Sequence, residues 1–87
     1  MNYRVSVAPT GRRAISRLPE GVAAAVYEFL AGALADNPHR VGKRLSPPLG
    51  GLYAARRGTY RVIYRVDDVA AVVEVVNVEH RGKAYRS

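Results

Sequence analysis

At 87 residues the chain can build one core and is expected to be a single domain spanning residues 1–87, since a chain this short buries only about 60% of its unfolded surface. Lysine and arginine total 14 against 7 acidic residues, and the net charge of +7 favours an anionic partner, nucleic acid first and an acidic protein or membrane surface next. There is no cysteine, which excludes disulfides and thiolate metal sites and suits a reducing cytosol; no apolar run is long enough to cross a bilayer, so the chain reads as soluble and unprocessed.

The charge is unevenly placed. Residues 1–39 carry four basic against three acidic groups, a net of +1, whereas residues 40–87 carry ten against four, a net of +6. The positive field therefore belongs to the second half.

In chain order, Tyr3 to Ala8 alternates Tyr3, Val5 and Val7 with Arg4, Ser6 and Ala8 and stops at Pro9, as a short half-buried strand would. Thr10 is placed to cap a first helix through Ala14, Ile15 and Leu18, with Arg12, Arg13 and Arg17 on its wet side. Pro19 and Glu20 suit the first turn of a second helix, where a missing amide hydrogen is harmless and a carboxylate complements the dipole. Val22, Val26, Phe29, Leu30, Ala33 and Leu34 give that helix one apolar stripe, and Asp36-Asn37-Pro38 stops it. Residues 39–51, with Lys43, Arg44, two prolines and two glycines at the end, read as an ordered surface loop.

Leu52 to Arg56 and Thr59 to Val66 are two strands joined at Arg57-Gly58, and Asp67-Asp68 turns into a fourth strand through Val78. In the third strand Tyr60, Val62, Tyr64 and Val66 alternate with Arg61, Ile63 and Arg65, so one sheet face receives aromatic and branched groups and the other two guanidinium groups. The expected architecture is α+β, in the order β-α-α-β-β-β. Tight turns make the last three strands an antiparallel meander, and the two helices cover its tyrosine and valine face, leaving the opposite face for function.

Past the last strand come Glu79, His80, Arg81, Lys83 and Tyr85, which add an imidazole and a phenol to a positive zone. That combination suits RNA chemistry. Two histidines forty-one positions apart and scattered carboxylates form no metal-ligand cluster, and no Gly-rich phosphate loop opens a helix. No cofactor is expected. Tyr53, Tyr60 and Tyr64 are read as packing residues, and His39 as inert.

The tract Gly51-Leu52-Tyr53 through Arg56-Arg57-Gly58-Thr59-Tyr60-Arg61-Val62-Ile63-Tyr64-Arg65-Val66, with Val78-Glu79-His80-Arg81 and Tyr85, resembles the RelE/ParE toxin superfamily, and its RelE branch in particular. The resemblance implies a RelE-like fold and a metal-independent endoribonuclease (mRNA interferase) that cleaves messenger RNA in the ribosomal A site. It implies a cytoplasmic protein of a type II toxin-antitoxin system, held inactive in a hetero-oligomer with its cognate antitoxin. In that chemistry the 2′-hydroxyl attacks the adjacent phosphate, so a proton must leave the nucleophile, a phosphorane must be stabilised and the departing oxygen protonated.

Carried over position by position, the resemblance makes Arg61 the scissile-phosphate contact, His80 a proton-transfer group, Arg81 a second phosphate ligand and Tyr85 a base-stacking residue that can also exchange a proton. Arg56, Arg57, Arg65 and Lys83, with Lys43 and Arg44 in the loop, are expected to contact RNA. The two second-strand lysines of the best-known relatives are absent: Ala54, Ala55, Arg56 and Arg57 stand there, and an arginine cannot act as a base. His80 is the first choice in their place. Glu79 ranks lower, because alternation puts it on the face opposite His80. The alternatives are a ParE-like toxin that poisons gyrase and a non-catalytic module that binds ribosomes or an antitoxin.

Overall fold

The computed structural model describes residues 2–47 and 50–80. The elements in order are β1 (Arg4–Val7), α1 (Pro9–Ser16), α2 (Glu20–Phe29), α3 (Pro38–Val41), β2 (Lys43–Arg44), β3 (Tyr53–Arg57), β4 (Tyr60–Asp67) and β5 (Val72–His80). A π-helical turn, Leu30–Leu34, prolongs α2 and keeps Leu30 and Leu34 buried. The stretch expected to be a loop, residues 39–51, holds β2 and all of α3 but its first residue, Pro38. Asn37 starts α3 by accepting the Arg40 amide at 3.3 Å, and Pro38 fills its first position without costing a hydrogen bond.

The sheet order is β1-β5-β4-β3-β2. The meander of β3, β4 and β5 is antiparallel as expected, with β2 added antiparallel at one edge. The expectation of an antiparallel sheet fails at the other edge, where β1 pairs parallel with β5, Arg4 facing Val72 and Val7 facing Val75. The helices carry the chain away from β1 before the meander begins, so the pairing is a crossover that no turn dictates. Gly58, with φ of 56°, opens the β3–β4 hairpin with the positive dihedral its first central position needs.

Helix α1 begins earlier than its sequence cap implies. Pro9 takes the first helical position after an extended Ala8, and the Thr10 hydroxyl donates instead to the Val76 carbonyl at 2.6 Å. Gly11 lies so close to β5 that a Cβ there would come within 2.7 Å of the Val75 carbonyl oxygen. The first turn of α1 is thereby fastened to the last strand.

The core lies between the helices and one sheet face. Ile15, Val26, Phe29, Leu30 and Leu34 pack on Tyr53, Ala55, Tyr60, Val62, Tyr64, Val73, Val75 and Val78. Each fully buried aliphatic or aromatic side chain contributes roughly 1.5–3 kcal/mol, so this face supplies most of the folding energy. The phenols are also partnered: Tyr64 donates to the Pro38 carbonyl at 2.6 Å, and Tyr60 to the Ala25 carbonyl at 3.3 Å. Burial pushes the Tyr64 phenol up to about 12 and raises that of Tyr60.

Candidate nucleic-acid interface

Register fixes which side chains share the face opposite the described helices. Residues directly opposite across a ladder project to the same side, so Arg56, Arg61 and Glu79 form one row across β3, β4 and β5. Ala54, Ile63 and Asn77 form the next row, joined by Lys43 of β2, and Arg65 with Glu74 a third. Arg61 and Arg65 are about 13 Å apart along the strand at its usual rise. Ile63, though only 8% exposed, lies outside the core cluster and forms an apolar floor between them.

Charge on this face is only partly compensated. The Arg61 Nε donates to Glu79 Oε1 at 3.0 Å, and its Nη2 bonds the same oxygen, with the two side chains 42% and 46% exposed. Arg65 Nε lies 3.5 Å from Glu74 Oε1. Arg56 is exposed and stands directly opposite Arg61, a like-charge cross-strand pair that costs stability until an anion lies over both. Guanidinium forks side by side match the oxygens of a phosphodiester.

The structure divides the expected site residues between the two faces. Arg56, Arg61, Arg65 and Lys43 come together on the open face. Arg57 does not: its guanidinium lies 4.7 Å above the Phe29 ring, on the helix side. Arg44 likewise sits 5.6 Å above the Tyr53 ring and donates to the Tyr53 hydroxyl at 3.3 Å. His80 is paired in register with Tyr60, a helix-facing residue, so it lies on the face opposite Arg61. Arg81, Lys83 and Tyr85 lie outside the described residues.

A register shift in β5 explains the placement of His80. Tyr64 pairs with Val75, whereas Ile63 pairs with Asn77, leaving Val76 as an extra residue in the ladder. Regular alternation from Val73 and Val75 would send Asn77 and Glu79 toward the helices and His80 toward the arginines. The extra residue reverses this, turning Val78 and His80 inward and presenting Glu79 to Arg61. The Val76 carbonyl takes its hydrogen bond from Thr10, so the first turn of α1 satisfies the group at the shift.

His39, expected to be inert, belongs to a hydrogen-bonded cluster at the far end of the sheet. His39 Nε2 is 2.8 Å from Asp68 Oδ1, which also accepts from the Tyr3 hydroxyl at 2.6 Å. The His39 ring meets Tyr53 edge-on at 5.4 Å, and Tyr53 stacks on Tyr64 at 5.5 Å. The Tyr3 hydroxyl, with His39, holds the Asp68 carboxyl below its usual range, and the same bond raises the Tyr3 phenol. These contacts tie α3 and the N-terminal segment to the β4–β5 turn. Among the described residues no group of three or more His, Cys, Asp and Glu side chains is arranged to hold a metal ion, and no helix is long and apolar enough to cross a membrane.

A five-stranded sheet with helices on one face and a basic row on the other defines a class of small α+β proteins whose exposed sheet surface is their working part. The family model described as the ParE toxin of type II toxin-antitoxin systems, parDE, matches residues 12–85. Toxin RelE of Mycobacterium tuberculosis is 48% identical over 84 residues, covering 97% of this chain and 87% of that protein. Toxin RelG of the same organism is 46% identical over 86 residues, covering 99% of each. The solved toxin-antitoxin complex RelBE2 from Mycobacterium tuberculosis contains a chain that superposes with a TM-score of 0.92 at 46% identity, covering 93% of this chain and all of that one. The chain belongs to the RelE/ParE superfamily and is a RelE-family toxin of a type II toxin-antitoxin system.

Proposed function

We propose that the protein is an endoribonuclease that cuts messenger RNA on the ribosome without a metal, with the open sheet face as its active surface. The observation that carries this is the row Arg56, Arg61 and Glu79: two adjacent guanidinium groups, one of them oriented by a carboxylate, on a face that none of the described helices covers. Arg61 and Arg56 hold the scissile phosphate and stabilise the extra negative charge of the phosphorane, the role for which preorganised donors are worth most. Arg65 and Lys43 flank that row and contact the RNA backbone. By their match to the superfamily pattern alone, Arg81 is assigned to phosphate, Lys83 to the RNA backbone and Tyr85 to a base. His80, on the opposite face, is given no proton-transfer role.

The protein acts in the cytoplasm, where its message is translated, and is silenced by a cognate antitoxin. Support for such a partner comes from the similar chain solved in complex with an antitoxin and from the positive charge that Glu74 and Glu79 leave only partly compensated on the open face, which an acidic segment would complement. The test is to induce the protein in cells and map 5′ ends along a translated message, for wild type and Arg61→Ala. Cuts inside translated codons that vanish with Arg61→Ala support the proposal. Growth arrest with intact messages would overturn it and leave DNA gyrase as the target to examine.

A further inference from the structure

We infer that Glu79 accepts the proton of the attacking 2′-hydroxyl; the inference rests on the endoribonuclease reading and supplies the base which that reading lacks. The arginine side chain is no base at ordinary pH, which sets Arg56, Arg61 and Arg65 aside. Tyr53, Tyr60 and Tyr64 belong to the helix-packed face, and His80 shares it. Three carboxylates lie on the open side among the described residues. Asp67 accepts the Ala70 amide at 3.0 Å in the turn after β4, and Glu74 lies beside Arg65. Glu79 is the carboxylate in the row of Arg61 and Arg56.

The atoms are suitably divided. Both Arg61 donors converge on Glu79 Oε1, which leaves the Arg61 Nη1 and the Arg56 guanidinium to engage phosphate and Glu79 Oε2 to receive a proton. A phosphate held on that fork brings the neighbouring ribose hydroxyl beside the carboxylate. In the step, the 2′-O–H bond breaks as its proton passes to Glu79, the 2′-oxygen bonds to phosphorus, and the bond from phosphorus to the 5′-oxygen breaks with the electron pair leaving on that oxygen. The 5′-oxygen takes a proton from water, and Glu79 later returns its own to solvent. The register shift at Val76 is what brings this carboxylate to the arginines.

The contrary possibility is that Glu79 only holds Arg61 in place and is displaced by phosphate. Single-turnover cleavage of a message on programmed ribosomes, with ribosome binding measured alongside, separates the two for Glu79→Gln and Glu79→Asp. Glutamine keeps an oxygen to accept from Arg61 and loses the proton-accepting charge. Binding at least as tight as wild type with cleavage about 10²–10⁴ slower, partly restored in Glu79→Asp, is the expected result. Undiminished cleavage by Glu79→Gln would overturn the inference, and so would a cleavage loss matched by an equal loss of binding. A wild-type protein that leaves the message whole would remove the endoribonuclease reading itself, and the inference with it.

Discussion

The two faces of this sheet use arginine in opposite ways. On the helix-packed side Arg57 and Arg44 lie over aromatic rings, their stems extending the core and their charge held by the ring face. On the open side Arg61 and Arg65 lie against carboxylates, and Arg56 stands beside Arg61. Arg56 and Arg57 are neighbours in sequence, yet the alternation of one strand gives one to the open face and the other to packing. The face to which a residue points, more than the local density of positive charge, assigns its job.

The largest stability effect is expected where the packed side is least tolerant. A Cβ on Gly42 would fall 2.1 Å from the Tyr64 hydroxyl oxygen and 2.9 Å from the Ala54 carbonyl oxygen, and Tyr64 is fully buried with its hydroxyl committed to Pro38. Gly42→Ala should therefore cost about 1–3 kcal/mol or more. A thermal melt reads this as a fall of roughly 4–8 °C per kcal/mol. A melt unchanged from wild type would show that the packed side yields more readily than its geometry implies.

The neighbouring arginines sharpen the comparison directly. Arg57→Ala should lower stability by about 0.5–1 kcal/mol through the lost ring contact while leaving RNA affinity near wild type. Arg56→Ala should leave stability unchanged or slightly higher, since it removes a like-charge pair, and should weaken binding to single-stranded RNA with a salt slope smaller by about 0.7. Denaturant melts and RNA titrations at several salt concentrations check both. Interchanged results would break the division between faces.

The smallest effect concerns the Tyr3, Asp68 and His39 cluster. The Asp68 carboxyl is held below its usual 3.8 chiefly by the Tyr3 hydroxyl, so this bond stabilises the fold above the ordinary aspartate range and is lost as pH falls through the depressed value. Tyr3→Phe should melt slightly below wild type at neutral pH, with the gap closing in acid as Asp68 is protonated in both proteins. A gap that persists unchanged in acid would show that the hydroxyl acts by some other contact.

Much of this division was legible in the sequence, because β4 alternates without interruption. Tyr60, Val62 and Tyr64 do pack under the helices, and Arg61 and Arg65 do share the other side. The stripe of α2 was equally plain, as Val26, Phe29, Leu30 and Leu34 are all buried. The fate of β5 was not. Val72, Val73, Val75, Val76 and Val78 offer apolar side chains to either face, so a one-residue shift leaves no mark on the pattern while exchanging Glu79 for His80 beside Arg61. The parallel seat of β1 was hidden for a related reason: its partner lies 68 positions away, as in Arg4 and Val72, and no turn sets its direction. Thr10 carries the residue type of a cap, but Pro9 before it starts the helix first.

The most direct test of the open face as the active surface is to compare Arg61→Ala and Arg57→Ala for cleavage of one ribosome-bound message, well below the melting temperature of either variant. Cleavage should fall by about 10²–10³ for Arg61→Ala, the usual cost of removing a donor that stabilises transition-state charge, and stay close to wild type for Arg57→Ala. Equal losses in the two variants, or an active Arg61→Ala, would contradict the account.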